Sequence, residues 1–450
     1  MRAKDRCMPD EPAPTSDPRG TASGVVALVV ILLVAAVLRY AVLASAYVHK
    51  CRLITYKSDD YEYHTLAVNL LREHRFYLPD PRPGWQTRRT PGFPVLLAGI
   101  YAVTGPSPYR AAAVLVLFSL ATCAVTYALG RTLFGARAGI LAGLLMALSP
   151  SAVLYAGAIL TDTLHAALLA LAMLAVVYSS MSPHPKRFIT AGLALGAAIL
   201  VRPASLYLPL VVATVAYACR LNRGLWLLSP LAAYALVAPW CVRNMLVTGT
   251  FHLSTIGTYN LISYNLAYIK SGATGVDIDE VRSRYWAEAS RLSGGAAELA
   301  RREAALHWKE LLANQLRGAA KFWTRPGGAL WRYYLTGSLV LSKPSNEAGL
   351  LGRIRYMLRQ PAGVFVVGQS IFSGLTALAA LCGMALALRQ AEHRPATILS
   401  AAWCLYFALV AGPIPTDRYH MPVEPILSVF AANAIAAAFR RARPAATFSG

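Results

Sequence analysis

One long apolar run near the start of the chain places the strongest constraint on its fold. Residues 24–48 contain a single charged side chain, Arg39. A helix needs about 20 apolar residues to cross the hydrocarbon core of a bilayer, so this run is long enough to span a membrane. The first 20 residues have no apolar core, and the run lacks a small-residue cleavage site. We therefore expect an uncleaved membrane anchor and not a signal peptide.

The composition extends this interpretation to the whole chain. Hydrophobic residues make up 56% of it and charged residues only 14%, whereas about a quarter of the residues of a soluble domain are charged. The net charge of +22 comes from basic residues scattered at the ends of apolar runs and in loops. Anionic lipid head groups suit such a distribution better than nucleic acid does. The seven cysteines show no CxxC or metal-binding spacing, so we predict no metal site, although a divalent ion is not excluded.

Further apolar runs predict an all-α polytopic membrane protein. About ten spans are expected, and up to thirteen if short stretches such as 91–104 and 150–160 are counted. With the N-terminus inside, the short cytoplasmic loops and tail hold eleven basic residues against one acid, Glu392. The positive-inside rule then places both termini in the cytoplasm. Besides 24–48, the predicted spans are 111–130, 138–157, 163–180, 188–201, 203–219, 224–241, 362–388, 395–412 and 421–439.

This topology leaves two long segments outside the membrane, 49–110 and 242–361. The first reads SDDYEYHTLAVNLL from Ser58 and predicts an amphipathic helix on the membrane surface. The second is expected to be partly embedded, with amphipathic helices over 298–323 that Trp308, Phe322 and Trp323 anchor at the interface. The predicted organisation is a disordered tail (1–23), a transmembrane module (24–241) with the loop 49–110, the external segment 242–361, C-terminal spans (362–440) and a tail (441–450).

Charged residues at span ends are predicted to gather at the outer face. Asp162, Arg202, Arg243 and Arg418 all fall there in this topology. A charge at the bilayer centre costs about 2.5 to 3.5 kcal/mol on insertion scales, so such residues pair or line a polar cavity. Guanidinium groups can hold a phosphate while a carboxylate accepts a proton from an attacking hydroxyl. A transferase with a phosphate leaving group would need this combination.

Six stretches occur in an order that resembles a known family. They read SDDYEYHTLAVNLL, TRRTPGFPVLLA, LSPSAVLYAGAILTDTL, LVRPASLYLP, APWCVRNMLVTGTFHLSTIGTYNL and DRYHMPVEPIL. In this order they resemble the signature stretches of bacterial membrane glycosyltransferases of the GT-C class. That class includes the protein O-mannosyltransferases and the lipid A aminoarabinose transferase. The resemblance covers residues 24 to 440 and implies a GT-C bundle with external juxtamembrane helices.

The resemblance also implies roles for individual residues. Family members place an acidic pair, and a Tyr four residues after the first acid, in the first external loop, which Asp59, Asp60 and Tyr63 match. Either acid of the pair could be the base. Asp162 matches a second acid. The remaining matches imply donor-phosphate or substrate contacts for Arg88, Arg89, Arg202, Arg243, Asn244, Arg418 and Tyr419.

The reaction implied is transfer of a sugar from a polyprenyl-phosphate donor, with inversion at the anomeric carbon. The acceptor would be a glycan, a lipid or a protein at the outer face of the cytoplasmic membrane. No Gly-rich phosphate loop is present, which agrees with a donor that is not a nucleotide. The donor lipid and the surrounding membrane lipids are the expected partners.

Structural explanations stay open for the same residues. Asp59 could cap a helix, Asp162 could pair with Arg202 or Arg243, and Arg88 with Arg89 could anchor head groups. His64, His74 and His420 are expected to be polar surface residues. The alternative functions are a transporter or lipid flippase, for which inverted repeats would be expected, and a membrane scaffold without chemistry.

Overall fold

Helices account for the regular structure of the described chain. The computed structural model describes residues 18–55, 58–79, 85–221, 224–323, 359, 363–412 and 417–441, and no strand occurs among them. The predicted all-α class is therefore confirmed. The helices are α1 (Pro18–Val48), α2 (Asp59–Glu73), α3 (Gly92–Thr104), α4 (Pro108–Phe134), α5 (Ala136–Leu148), α6 (Pro150–Tyr155), α7 (Asp162–Met181), α8 (Pro185–Val201), α9 (Leu208–Ala218), α10 (Leu228–Thr248), α11 (Ile256–Asn260), α12 (Ala267–Thr274), α13 (Ile278–Ala289), α14 (Gly295–Leu306), α15 (Trp308–Phe322), α16 (Gly363–Leu388), α17 (Arg394–Val410) and α18 (Glu424–Arg441).

Five described helical segments are long and apolar enough to cross a membrane, and the chain is a polytopic membrane protein. The predicted runs fall mainly on helices, but 138–157 is divided at Ser149 into α5 and α6, and 203–219 has a turn at residues 206–207 before α9. At 13 residues, α3 would reach only about 20 Å, less than a hydrocarbon core of about 30 Å. The five segments are Ser23–Val48, Pro108–Phe134, Asp162–Met181, Leu225–Thr248 and Val364–Leu388.

Close packing between α8 and α10 depends on two glycines four residues apart. A Cβ atom on Gly192 would lie 2.3 Å from the backbone oxygen of Ser229, and one on Gly196 would lie 2.7 Å from that of Ala233. Both helices therefore carry a small residue at every fourth position where they meet, as tightly packed membrane helices often do. The contact fixes the end of α8, which leads directly into Arg202.

A buried arginine holds the break between α5 and α6. Arg39 of α1 is 1% exposed, and it donates to Ser119 Oγ at 2.7 Å. It also donates to the backbone oxygens of Ala147 at 2.9 Å and Met146 at 3.2 Å, the last carbonyl groups of α5. The last carbonyl groups of a helix lack the regular partner four residues on, although that of Met146 also accepts from the backbone nitrogen of Ser149 at 3.4 Å. Arg39 thus stabilises the turn at Ser149 from which α6 begins.

The amphipathic helices predicted between the spans are present, but one of the expected anchor residues is buried. The surface helix predicted from Ser58 onward is α2, which buries Tyr63, Leu66 and Ala67. The amphipathic stretch 298–323 falls on two helices, α14 and α15. Phe322 was expected at the interface, but it is fully buried and its ring lies 4.4 Å from that of His420. Parts of three predicted segments lie outside the described residues: 1–17 of the tail 1–23, most of 324–361 in the external segment 242–361, and 442–450 of the tail 441–450.

Candidate active site

Asp59 lies between two arginines that come from distant parts of the chain. It occupies the first turn of α2, and its Oδ1 is 2.5 Å from Arg89 Nη2. Its Oδ2 is 3.2 Å from Arg418 Nη2. Burial alone would raise the pKa of Asp59, but the charges and hydrogen bonds of Arg89 and Arg418 outweigh burial and hold that pKa well below its usual range. Asp59 is therefore a carboxylate in this state.

Glu62 is a central acid that the sequence interpretation missed. It lies one helical turn after Asp59, so both side chains project from the same face of α2. Its Oε2 is 2.6 Å from Arg89 Nε, and its Oε1 is 3.2 Å from Arg88 Nη1. The carboxylate and both guanidinium groups are buried. The three-residue spacing from Asp59 was the available signal for it.

Tyr63 completes the surroundings of Arg89. Arg89 Nη1 donates to Tyr63 Oη at 3.3 Å, and the Arg89 guanidinium lies 4.9 Å from the centre of the Tyr63 ring. The Tyr63 ring also packs edge-on against Phe93 of α3. Tyr63 therefore fixes Arg89 by a hydrogen bond and a cation–π contact.

A second ion pair joins the first through an aromatic ring. Asp162, at the start of α7, is 2% exposed and pairs with Arg202 at the end of α8. The guanidinium of Arg202 lies 5.1 Å from the centre of the Tyr419 ring, and that of Arg418 lies 5.4 Å from it. Tyr419 thus lies beside both arginines.

We call these seven charged residues the arginine–acid cluster. Four guanidinium groups meet three carboxylates, and the segments that supply them are far apart in the sequence. Burying so many charges is costly unless they are paired, and every member has a partner of opposite charge. The members are Arg88, Arg89, Arg202 and Arg418 with Asp59, Glu62 and Asp162.

Asp60 faces a different environment from its neighbour. Its Oδ1 accepts from the backbone nitrogen of Tyr61 at 2.8 Å and its Oδ2 from that of Thr55 at 3.2 Å, and the Ser58 hydroxyl also donates to it. Burial raises the pKa of Asp60, and the backbone hydrogen bonds oppose this rise only in part. Asp60 therefore holds the start of α2 to the preceding loop.

Arg243 and Asn244 pack beside the cluster's supporting loop. Arg243 donates to the backbone oxygen of Phe76 at 3.2 Å and to Asn244 Oδ1 at 3.0 Å. The buried Asn244 amide donates to the backbone oxygens of His252 and Leu253, both at 3.0 Å. Among the described residues, the hydrogen bonds given for both side chains are to other parts of the protein. Their role in binding substrate therefore stays a prediction.

The loop that Asn244 holds supports the two cluster arginines at 88 and 89. His252 Nε2 lies 2.9 Å from Thr87 Oγ1, and the backbone nitrogen of Thr255 donates to Thr87 at 3.1 Å. The Ser254 hydroxyl donates to the backbone oxygen of Arg88. The segment after α10 therefore positions the backbone from which Arg88 and Arg89 project.

Two further predictions concerned histidines and metals. His420 was expected at the surface, but it is half-buried, with its ring 4.4 Å from that of Phe322 and 6.3 Å from that of Trp323. Its burial lowers its pKa to about 4. Among the described residues, no group of three or more His, Cys, Asp or Glu side chains is placed to hold a metal ion.

Comparison with family models supports the resemblance that the sequence motifs indicated. Residues 88–244 match the model of the dolichyl-phosphate-mannose-protein mannosyltransferases. The matched segment begins at Arg88 and ends at Asn244, so it includes Arg89, Asp162 and Arg202. The predicted resemblance is confirmed over this segment. No curated protein sequence matches the chain.

Solved structures share the fold at low sequence identity. The oligosaccharyltransferase AglB from Archaeoglobus fulgidus, in complex with an inhibitory peptide and a dolichol-phosphate, matches with a TM-score of 0.55 and 13% identity. The match covers 94% of this chain and 51% of that one. The A. fulgidus enzyme with Zn and sulfate also has a TM-score of 0.55 at 13% identity, covering 92% and 49%. This chain thus spans about half the length of these structures.

ArnT from Cupriavidus metallidurans in the apo state matches with a TM-score of 0.43 and 16% identity, over 90% of this chain and 78% of that one.

Proposed function

We propose that this membrane protein transfers a sugar from a polyprenyl-phosphate-linked donor to an acceptor hydroxyl. The observation that carries the proposal is the position of Asp59 between Arg89 and Arg418. Arginine forks suit phosphate, and a carboxylate among them suits a base. The reaction would take place at the outer face of the cytoplasmic membrane, with both termini inside.

The arginine–acid cluster would bind the phosphate of the donor. Phosphate and carboxylate oxygens compete for the same guanidinium N–H groups, and a phosphate can accept bidentate hydrogen bonds from each fork. The structural relative AglB was solved with a dolichol-phosphate, which supports a lipid phosphate as the ligand. As the glycosidic bond breaks, negative charge grows on this phosphate, and fixed guanidinium groups would stabilise it.

Asp59 would act as the base when the donor is in place. A donor phosphate that draws Arg89 and Arg418 away from Asp59 would weaken the interactions that now hold its pKa down. The acceptor oxygen would then attack the anomeric carbon from the side opposite the phosphate. Its proton would pass to Asp59, while the electron pair of the breaking carbon–oxygen bond would leave with the phosphate. The product would have inverted configuration.

The remaining cluster members would position these groups. Glu62 would hold Arg88 and Arg89 in one orientation, and Asp162 would do the same for Arg202. Residues that hold a guanidinium group in place within a fraction of an ångström affect the rate of catalysis, because small displacements weaken transition-state contacts. The acceptor would be a glycan, a lipid or a protein with an exposed hydroxyl.

The test is mass analysis of cell-envelope glycans, lipids and proteins from a strain that lacks the gene. We expect a missing sugar modification, restored by the wild-type gene and by Asp60→Asn but not by Asp59→Asn. Loss of a general base slows catalysis by about 10² to 10⁴-fold. Immunoblots and size-exclusion profiles would verify that the variants fold.

Two results would overturn the proposal. If Asp59→Asn restores the modification fully, Asp59 is not the base. If deletion changes no glycan but blocks movement of a lipid or solute, the chain is a transporter or flippase.

A further inference from the structure

The guanidinium group of Arg88 lies over an aromatic ring from the external helices. Its central carbon is 3.9 Å from the centre of the ring of Tyr259, a half-buried residue of α11. The other arginines of the arginine–acid cluster lie 4.9 to 5.4 Å from the centres of the rings beside them. A cation within about 6 Å of a ring centre is attracted by the face of the ring. Arg88 thus makes the closest of these ring contacts.

A tryptophan of α13 holds the Tyr259 ring in turn. The rings of Tyr259 and Trp286 stack, with their centres 5.5 Å apart and an angle of 29° between their planes. Trp286 Nε1 donates to Ser263 Oγ at 3.1 Å. Arg282, one turn earlier on α13, donates to the backbone oxygen of Ser263 at 2.8 Å. The contacts of α13 therefore fix the ring that Arg88 faces.

The same external segment holds the backbone of Arg88. The Ser254 hydroxyl donates to the backbone oxygen of Arg88, and Ser254 Oγ accepts from the backbone nitrogen of Ile256 at 3.1 Å. Ile256 is the first residue of α11. One short segment thus supplies both the hydrogen bond to the backbone of Arg88 and the ring beside its side chain.

A ring orients Arg88 in a way that a further carboxylate could not. Arg88 shares the acid Glu62 with Arg89, at 3.2 Å from its own Nη1 and 2.6 Å from Arg89 Nε. Another carboxylate would compete with a phosphate for the same guanidinium N–H groups. The ring of Tyr259 is neutral and attracts the guanidinium through its face. Arg88 is therefore held in place while its positive charge stays suited to an anion.

We propose that Tyr259 is a positioning residue that holds Arg88 for the phosphate of the lipid donor. The inference rests on the proposed function and assigns a role to a residue of the external helices. A flexible arginine must be ordered when it binds a ligand, and this ordering lowers affinity. The Tyr259 ring orders the Arg88 side chain before the lipid arrives. Tyr259 therefore increases the affinity for the phosphate through Arg88.

The experiment measures lipid binding with and without the ring. Full-length protein in detergent is titrated with undecaprenyl phosphate, and the Kd is measured by native mass spectrometry. Tyr259→Leu removes the ring and should raise the Kd about threefold to tenfold, because binding must then order Arg88. Tyr259→Phe keeps the ring and should stay within about twofold of the wild type. Tyr268→Leu, the same change at an exposed ring of α12, is the matched control and should leave the Kd unchanged.

A double-mutant cycle distinguishes positioning of Arg88 from a general effect on packing. Arg88→Gln should weaken binding more than Tyr259→Leu does, because it removes the guanidinium itself. Combining Tyr259→Leu with Arg88→Gln should cause no further loss, since no guanidinium is left to hold. Size-exclusion profiles verify that each variant folds. Tyr259→Met, which also lacks a ring, takes the place of Tyr259→Leu in the cycle if the leucine variant does not fold.

The outcomes separate this inference from the proposed function. No binding of undecaprenyl phosphate to the wild type would contradict the proposed function itself. If that lipid binds and Tyr259→Leu keeps the wild-type Kd, the ring does not position Arg88. If Tyr259→Leu weakens binding as much in the Arg88→Gln background as in the wild type, Tyr259 acts independently of Arg88 and the inference is wrong.

Discussion

Asp59 and Asp60 are adjacent residues whose carboxyl groups have opposite surroundings. Asp59 faces Arg89 and Arg418, which hold its pKa far below the usual range. Asp60 faces backbone N–H groups, and its burial raises its pKa. A helix rotates by about 100° per residue, so the side chains of Asp59 and Asp60 project in different directions. Within the proposal, Asp59 is the base and Asp60 is structural.

Glu62 should matter more for stability than its position on a surface helix suggests. Glu62→Gln leaves Arg88 and Arg89 buried with one fewer carboxylate, and removing one partner of a buried pair costs about 3 to 5 kcal/mol. We expect a clearly lower unfolding midpoint in detergent. Glu73→Gln, at the exposed end of the same helix, is the matched control and should change little. Equal midpoints for the two variants would mean that the buried pairs contribute no net stability.

His420 should make stability depend on pH. Burial against Phe322 and Trp323 lowers the pKa of His420 to about 4 in the folded protein, whereas in an unfolded chain it is about 6.5. Between these values the unfolded chain binds a proton that the folded protein excludes. Stability is therefore complete above about pH 6.5 and decreases as the pH falls toward 4. Unfolding midpoints of the wild type should follow this trend, and His420→Gln should flatten it. An unchanged slope in that variant would assign the effect to other groups.

At the scale of helices, the contact between α8 and α10 should tolerate no added side-chain atom at Gly192. Its Cβ would lie 2.3 Å from the Ser229 backbone oxygen, so Gly192→Ala must separate the helices. We expect a lower unfolding midpoint and, because α8 leads directly into Arg202, weaker lipid binding. Gly99→Ala in α3 meets nothing within 4 Å and should be neutral or slightly stabilising. If the two alanine variants behave alike, the close packing of α8 on α10 is not needed.

Much of the helical architecture could be predicted from the sequence. The apolar runs located the helices, because hydropathy reports burial in lipid or protein. The SDDYEY stretch located α2 through its spacing of apolar residues. The break at Ser149 was indicated only through the stretch 150–160, which was counted as a possible further span, while the run 138–157 was expected to be one span. The break depends on Pro150 and on Arg39, which binds the last carbonyl groups of α5 from another helix.

The candidate site was predicted in outline from the sequence. What could not be predicted depends on the direction in which side chains project from their helices. Arg89 and Arg418 were both predicted, and the fold brings them to the same carboxylate. Arg243 lies against Phe76 because of the rotation of α10 about its own axis, and a sequence motif does not indicate that rotation. Glu62 went unassigned because its role depends on arginines 26 and 27 residues away that only folding brings near.

At the scale of the whole molecule, the fold assembles one charged site from segments far apart in the sequence. The pair Arg418–Asp59 joins residues 359 positions apart, and Arg202–Asp162 joins two helices of the bundle. Such a site exists only when the complete bundle has formed. We therefore expect lipid-phosphate binding to disappear together with the folded state and to stabilise it when present.

The most direct test of this account is the effect of undecaprenyl phosphate on the thermal unfolding of the purified protein. Undecaprenyl phosphate should raise the midpoint for the wild type, and undecaprenol, which lacks the phosphate, should not. Arg418→Gln should abolish the shift. Arg284→Gln removes the same charge from an exposed helix face and should preserve it. If undecaprenol stabilises equally, or if Arg418→Gln keeps the full shift, the arginine–acid cluster does not bind the lipid phosphate.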